Sequence, residues 1–136
     1  MNDCIFCKIV DGEVPCHKVY EDDATLAFLD IAPINHGHTL LIPKAHYTDI
    51  ITTPEEVIVS LARVLPRVAQ AVKEGSKADA FNVGVNSGRA AGQIVFHTHL
   101  HIIPRFTNDG YRSWGQKQYA AGEAEAMAER IRQNLT

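Results

Sequence analysis

The sequence lacks most of the features that mark membrane, secreted and nucleic-acid-binding proteins. No apolar run approaches the length of a membrane span, and residues 1–10 lack the basic-then-apolar layout of a signal peptide. With 13 basic and 16 acidic residues the formal charge is only −3, which gives no reason to expect a nucleic acid or an anionic membrane as a partner. We therefore expect a cytoplasmic protein that contacts neither.

Cysteine is also scarce. Cys4, Cys7 and Cys16 cannot all pair within one chain, and a reducing compartment disfavours structural disulfides. Cys4 and Cys7 form a C-x-x-C motif, which is shared by zinc sites and redox pairs. If the strands next to His46 and His97 are neighbours, these two histidines could complete a Cys2His2 tetrahedron. Two reduced thiols packed as small hydrophobic groups are the alternative.

Composition predicts one soluble domain over residues 1–136. Hydrophobic residues make up 46 % of the chain and charged residues 21 %, and we find no repeat, linker or low-complexity tract. Short runs of β-branched and apolar residues, bounded by glycine, proline or acidic residues, predict five strands. These strands cover residues 17–20, 25–30, 38–42, 81–86 and 94–104.

A long helix is predicted to begin at Thr53 and to end near Gly75. Thr53 suits the N-cap, Pro54 suits the first helical position, and Glu56 would complete a capping box. The apolar stripe continues in phase beyond Pro66, so this proline should kink the helix without ending it.

Two further helical segments are predicted. Residues 4–10 should form a short arm or helical turn, and apolar side chains recur at helical spacing over residues 120–135. Strands in succession, with one long helix inserted and one at the end, predict an α+β fold. We expect a mostly antiparallel five-stranded meander with the helices on one face.

The run His97-Thr98-His99-Leu100-His101 is the least ordinary feature of the sequence. Side chains alternate between the faces of a strand, so the three imidazoles would share one face at spacings of about 6.5–7 Å, with Leu100 toward the core. Such a row can engage a phosphate or a metal. A tri-histidine metal site is disfavoured because evenly spaced ligands on one strand poorly match a tetrahedron, and an exposed polar face conflicts with the apolar flanking residues.

The interval around these histidines favours an anionic ligand. No acidic residue lies between Asp79 and Asp109, whereas Arg89 and Arg105 both do. We therefore predict a locally positive pocket suited to a phosphate ester, the alternative being that the arginines face solvent. Short polar and glycine positions that let backbone N–H groups approach an anion also lie here. They are residues 86–88 and 92–93.

Residues 97–103, HTHLHII, resemble the signature of the histidine-triad (HIT) superfamily, in which histidines alternate with hydrophobic residues. Other segments are similar to the Hint-type, nucleotide-binding branch of that family. They are CIFCKI at 4–9, VYEDD at 19–23, AFLDIAP at 27–33, GHTLLIPK at 37–44 and GQ at 92–93. The resemblance covers residues 4–106 and leaves a C-terminal helical extension at residues 116–136 outside it.

The resemblance implies a HIT-like fold and an enzyme that hydrolyses or transfers the nucleotidyl group of AMP-X substrates. Nucleoside phosphoramidates and dinucleoside polyphosphates are examples. His99 would attack the α-phosphate of a purine nucleotide and form a nucleotidyl-histidine. His101 would hydrogen-bond phosphate oxygens, and His38 is a candidate to relay a proton to the leaving group.

The resemblance also implies binding residues and a partner. Asp30 would bind the ribose hydroxyls, and Phe28 and Ile31 would wall the base. The phosphate would be held by His99, His101, Asn86, Gly92 and Gln93. A structural zinc ion would be bound by Cys4, Cys7, His46 and His97, with no organic cofactor. Members of the family are generally symmetric homodimers with joined sheets.

Ile94 departs from the family pattern. Related proteins carry serine or threonine there, where a hydroxyl can contact the leaving-group side of the phosphate. This departure motivates a second hypothesis, a nucleotide-binding interaction module with only residual catalysis. A metal hydrolase built on the three histidines is the third.

Overall fold

The computed structural model describes residues 3–112 and 114–136, so Met1, Asn2 and Ser113 of the predicted domain lie outside it. Within these ranges the chain forms five strands and three α-helices. The strands are β1 (Lys18–Glu21), β2 (Thr25–Leu29), β3 (Thr39–Pro43), β4 (Ala80–Gly84) and β5 (Leu100–Arg105). The helices are α1 (Ile5–Val10), α2 (Glu55–Ser76) and α3 (Glu123–Gln133).

The strands form one antiparallel sheet in the order β1-β2-β3-β5-β4. The predicted α+β fold, with a five-stranded antiparallel sheet, a long inserted helix and a C-terminal helix, is confirmed. β1, β2 and β3 are neighbours in chain order and form a meander. The chain then passes through α2 to the edge strand β4 and returns to the middle of the sheet as β5. The histidine run therefore enters the sheet beside β3.

The two faces of the sheet pack against different helices, because side chains alternate along each strand. On one face Ala27, Leu41 and Ile102 pack against the apolar stripe of α2. On the other face Phe6 of α1 packs in a second apolar cluster that contains Phe28. α1 therefore lies on the face of the sheet opposite α2. α3 buries none of its side chains.

α2 differs from its prediction at both ends. Pro54, not Thr53, is the N-cap residue, and no side chain caps the helix, because the buried Thr53 hydroxyl bonds elsewhere. Gly75 lies inside the helix, which ends at Lys77 in the left-handed conformation with φ of 58°. The helix continues through Pro66, as expected. None of the helices described is both long and apolar enough to cross a membrane.

Candidate active site

The three histidines of the HTHLH run do not all lie in a strand, although their rings follow one another on one side of the chain. Phe6 contacts the rings of His97 and His99, and the His99 ring lies against His101. Only His101 lies in β5, whereas His97 and His99 lie in an irregular segment before it. At this point the chain leaves the ladder with β3, and the Thr98 N–H donates to the Tyr47 carbonyl at 2.7 Å instead. The prediction of a strand from residue 94 is therefore wrong, and the three imidazoles reach different partners.

His97 points into a cluster with Cys4, Cys7 and His46, whose ligand atoms all lie within 4.8 Å of one another. His97 Nδ1 lies 3.4 Å from Cys4 Sγ, 3.6 Å from Cys7 Sγ and 3.2 Å from His46 Nδ1. A tetrahedron with Zn–S of about 2.3 Å and Zn–N of about 2.0 Å has N···S edges of about 3.5 Å and an N···N edge of about 3.3 Å. The donor set and its spacing therefore fit zinc.

The ring of His97 presents the correct atom to this cluster. Its Nε2–H donates to the Pro43 carbonyl at 2.7 Å, so the lone pair of Nδ1 faces the sulfurs. Burial lowers the pKa of His97, which keeps the ring neutral. Because β3 and β5 are adjacent, His46 after β3 and His97 before β5 both reach α1, whose N-cap residue is Cys4 and which contains Cys7.

His99 is held as a neutral ring with one defined tautomer. Only 6 % of the residue is exposed, and burial lowers its pKa, although a hydrogen bond to the His97 carbonyl opposes this. In that bond His99 Nδ1–H donates to the carbonyl at 2.7 Å, so Nε2 carries the lone pair. The ring of Phe6 packs edge-on against it, with the ring centroids 5.1 Å apart. His99 therefore has the protonation state that a nitrogen nucleophile requires.

His38 and His101 form a directed pair. The Ile34 N–H donates to His38 Nδ1 at 3.1 Å, which places the proton of the neutral ring on Nε2. That Nε2–H donates to His101 Nδ1 at 2.9 Å, so His101 in turn carries its proton on Nε2. Burial lowers the pKa of His38, and burial together with His99 and His38 lowers the pKa of His101 to about 4. Both rings are therefore neutral at pH 7, and their N–H groups point in the same direction, from His38 toward His101 and onward from His101 Nε2.

Asp30, His38 and His101 also bring three ligand atoms within 4.8 Å, but the hydrogen bonds disfavour a cation there. A metal on His38 Nε2 would require the proton on Nδ1, where it would oppose the Ile34 N–H. Among the residues described, no cluster brings the three histidines of the HTHLH run together as ligands. The geometry therefore gives no support to a tri-histidine metal hydrolase.

The loop between β4 and β5 contains Asn86, Gly92 and Gln93. Gly92 has a φ of +93°, and a Cβ there would lie 3.6 Å from Asn86 Nδ2. The buried Gln93 side chain donates to the Thr48 carbonyl at 2.7 Å and accepts from the Gly88 N–H at 2.9 Å. The backbone N–H groups of Gly92 and Gln93 also donate to carbonyls within the loop. Gly92 and Gln93 thus shape the loop beside the Asn86 side chain.

The residues expected to contact ribose and base lie at the end of β2. Phe28 is buried there, and its ring meets Phe6 edge-on with the centroids 5.4 Å apart. One oxygen of Asp30 accepts a backbone N–H, and the other lies 3.7 Å from His38 Nε2. Ile31 projects into solvent with 92 % of its surface exposed. These side chains therefore lie on the His38 side of the site.

A cavity of about 740 Å³ extends from His101 over β4 and β5, and it is lined by Arg105 and Arg112 but not by Arg89. Arg105 donates to both carboxylate oxygens of Asp109, at 2.8 and 3.1 Å, and holds the pKa of that carboxyl below its usual range. Arg89 lies over the Phe96 ring, 5.2 Å from its centroid. The prediction that Arg105 contributes positive charge to a phosphate pocket is therefore wrong, because its charge is balanced by the Asp109 carboxylate.

Comparison with known proteins places this geometry in a family. The family model described as "HIT domain" matches residues 11–108. Adenylylsulfatase HINT3 of Arabidopsis thaliana is 50 % identical over 108 residues, which are 79 % of this chain and 55 % of that protein. This chain therefore spans about half the length of that relative.

Two solved structures extend the likeness to the fold. A HIT family protein from Bacillus anthracis has a TM-score of 0.90 and 41 % identity, with 99 % of both chains covered. A zinc-bound histidine triad family protein from Mycobacterium smegmatis has a TM-score of 0.75 and 40 % identity, with 97 % of this chain and 95 % of that chain covered. The matched residues 11–108 include all five strands and the complete HTHLH run. Sequence, sheet and site thus agree, and the chain belongs to the HIT family.

Proposed function

We propose that this protein binds a purine nucleotide and hydrolyses or transfers its nucleotidyl group. It would act at the α-phosphate of AMP-X substrates such as nucleoside phosphoramidates or dinucleoside polyphosphates. The observation that carries the proposal is the 2.7 Å bond from His99 Nδ1–H to the His97 carbonyl, which leaves Nε2 of a neutral ring as the nucleophile. The Arabidopsis relative is named an adenylylsulfatase, which supports an AMP-X substrate.

The reaction proceeds in two displacements at phosphorus. His99 Nε2 attacks, so a P–N bond forms while the bond to the leaving group breaks and the leaving group departs with its electron pair. Water then attacks the nucleotidyl-histidine, the P–N bond breaks, and AMP is released. The proton that water loses replaces the one that the leaving group takes. Two easier steps thereby replace one difficult step.

His101 and His38 manage the charge and the proton. His101 Nε2–H donates to a phosphate oxygen in the transition state, where the developing negative charge strengthens the bond. As the bond to phosphorus breaks, the leaving group takes this Nε2–H proton while the His38 Nε2–H proton passes to His101 Nδ1, and the 2.9 Å bond between the two rings already has the required direction. A proton from solvent, delivered beside Asp30 at 3.7 Å from His38 Nε2, replaces the one that leaves this nitrogen, so that the ring is not left as an anion.

The nucleotide is held on both sides of the reacting phosphorus. Asp30 accepts hydrogen bonds from the ribose hydroxyls, and Phe28 and Ile31 border the base. Asn86 contacts the phosphate from the loop that Gly92 and Gln93 shape. These roles follow from the resemblance to the nucleotide-binding branch, and the positions at the ends of β2 and β4 support them.

Cys4, Cys7, His46 and His97 hold a structural zinc ion in this proposal. When bound, zinc would connect α1 to the ends of β3 and β5 and would take no part in bond making. The tetrahedral spacing of the ligand atoms and the zinc-bound relative from Mycobacterium smegmatis support this assignment. No organic cofactor is needed for the chemistry.

The edge strand β4 supports the proposed homodimer. All five of its residues are exposed. Phe81 and Val83 present apolar side chains along it, and Val85 does so directly after it. An unpaired apolar edge strand favours antiparallel pairing with a second copy, which would join the sheets. Sedimentation should therefore give twice the chain mass of 15.0 kDa, and Val83→Lys should shift the protein toward monomer. A monomeric wild-type protein would contradict the dimer.

His38→Asn should lower kcat by different factors for substrates that have different leaving groups. Asparagine keeps an acceptor near the Ile34 N–H but removes the Nε2–H that bonds His101. With an AMP phosphoramidate, whose amine must be protonated to leave, we expect kcat to fall about a hundredfold. With adenosine 5′-phosphosulfate, whose sulfate leaves as a stable anion, the loss should be under about tenfold. Equal losses on the two substrates would show that His38 does not relay a proton.

The function itself is tested by AMP release from a substrate panel. The panel contains a nucleoside phosphoramidate, adenosine 5′-phosphosulfate and a dinucleoside polyphosphate, and the His99→Ala variant is the control. We expect steady-state release from at least one substrate by the wild-type protein. Tight AMP binding without release from any of them would favour the interaction module, which is motivated by the apolar and exposed Ile94.

A further inference from the structure

One peptide unit connects the nucleophile to the loop between β3 and α2. The N–H of the His97–Thr98 peptide donates to the Tyr47 carbonyl at 2.7 Å. The carbonyl of the same unit accepts from His99 Nδ1–H, also at 2.7 Å. Because a peptide unit is planar, any contact that fixes its N–H also fixes the direction of its carbonyl. The orientation of the His99 ring therefore depends on how this loop holds Thr98.

A pair of buried hydroxyl groups strengthens this connection. Thr98 is 1 % exposed and Thr53 is 7 % exposed, and their Oγ1 atoms lie 2.7 Å apart. The Thr53 hydroxyl donates to the Asp49 carbonyl at 2.6 Å, so the Thr98 hydroxyl is the donor within the pair. The Thr98 hydroxyl also donates to the Tyr47 carbonyl at 3.2 Å, so its one proton is shared between two acceptors, the shorter contact being to Thr53. Thr98 is thus held by its backbone and by its side chain.

The hydroxyl pair lies where the sheet provides no support. Residues 94–99 precede β5, so no ladder bond to β3 holds the peptide that carries the His97 carbonyl. Position 98 is also one at which the histidine-triad signature has a hydrophobic residue. A valine there would fill nearly the same space but could not donate to Thr53. The hydroxyl therefore adds a directional contact that packing alone would not supply.

We propose that Thr53 and Thr98 are positioning residues for the nucleophile. Their hydroxyl pair holds the His97–Thr98 peptide so that its carbonyl orients His99 with Nε2 toward phosphorus. Both side chains are buried, so they would act on the nucleotide only through the His97 carbonyl and the His99 ring. This inference rests on the proposed function of His99.

The test compares Thr98→Val with Thr98→Ser in steady-state AMP release. We expect Thr98→Val to lower kcat at least about tenfold, because a small displacement of a reacting atom is costly. The KM and the AMP dissociation constant should remain within about twofold, since the proposed base and ribose contacts come from the end of β2 and not from Thr98. Thr98→Ser should restore most of kcat, because it restores the donor. The fraction of each variant that becomes adenylylated gives the concentration of active sites, and dividing the rate by this concentration corrects kcat for any loss of folded protein.

A second variant and a matched control distinguish positioning from stability. Thr53→Val should reduce kcat like Thr98→Val, and the double variant should be no slower than either single variant, because both remove the same contact. Thr25→Val removes another buried hydroxyl, at the start of β2, and should leave kcat unchanged. Wild-type kcat in Thr98→Val, or a serine variant as slow as the valine variant, would overturn the inference. A His99→Ala variant that still turns over would instead overturn the proposed function.

Discussion

His99→Ala will reduce the rate of AMP release by at least about a thousandfold, because it removes the nitrogen that forms the covalent bond to phosphorus. No neighbouring ring can replace it. His97 Nδ1 faces the cysteine sulfurs, and His101 Nδ1 accepts from His38, so neither ring directs an unprotonated nitrogen at the nucleotide. The rate is measured as AMP formed per folded active site at saturating substrate.

The same variant should keep its ligand binding and its metal content. The His99 ring is outside the Cys4, Cys7, His46 and His97 cluster, so the zinc content should stay at one ion per chain. AMP should still bind, because the proposed base and ribose contacts come from the end of β2. Turnover within about tenfold of wild type in a folded variant would show that water attacks phosphorus directly.

Cys7→Ser will abolish stoichiometric zinc binding and destabilise the fold. α1 has only six residues, too few for a stable helix in isolation, so its position depends on Phe6 packing and on the cysteine ligands. We expect a loss of about 3 kcal/mol, as for other broken metal sites, and a fall in Tm of roughly 10 °C. Metal analysis and thermal unfolding measure the two effects.

The effect of Cys7→Ser should also extend to nucleotide binding. Phe6 follows the first ligand, Cys4, and contacts the rings of Phe28 and His99, so a displaced α1 loosens both the base pocket and the nucleophile. Cys16→Ser is the matched control, since Cys16 lies outside the cluster and should leave zinc content unchanged. A Cys7→Ser variant with full zinc content and wild-type Tm would rule out the structural zinc site.

Local patterns predicted the elements well, and they also predicted that Cys4, Cys7, His46 and His97 lie together. The strands and α2 follow from runs and stripes whose period the backbone determines, so their cores could be located from sequence. The prediction of the Cys–His cluster depended on one further condition, that the strands beside His46 and His97 are neighbours. β3 and β5 meet this condition. The spacing of Cys4 and Cys7 is a short-range property that α1 preserves.

Features that depend on contacts between residues far apart in the chain could not be predicted from local sequence patterns. A capping box at Thr53 is a reasonable local prediction, but the hydroxyl bonds Asp49 and Thr98 instead, and the latter is 45 residues away. The start of β5 was misplaced for the same reason, since Thr98 pairs with the Tyr47 carbonyl and leaves the ladder. The one available signal was the polar Thr98 at a hydrophobic position of the signature.

The most direct test of the account is the location of the covalent intermediate. Wild-type protein is mixed with an AMP phosphoramidate, quenched in base to preserve the phosphoramidate bond, and digested with trypsin. The peptide of residues 90–105 contains all three histidines of the HTHLH run, so fragmentation must assign the modified ring. The account predicts one adenylyl group on His99 that forms and decays at rates consistent with turnover. Turnover without an adduct, or an adduct on a different residue, would contradict it.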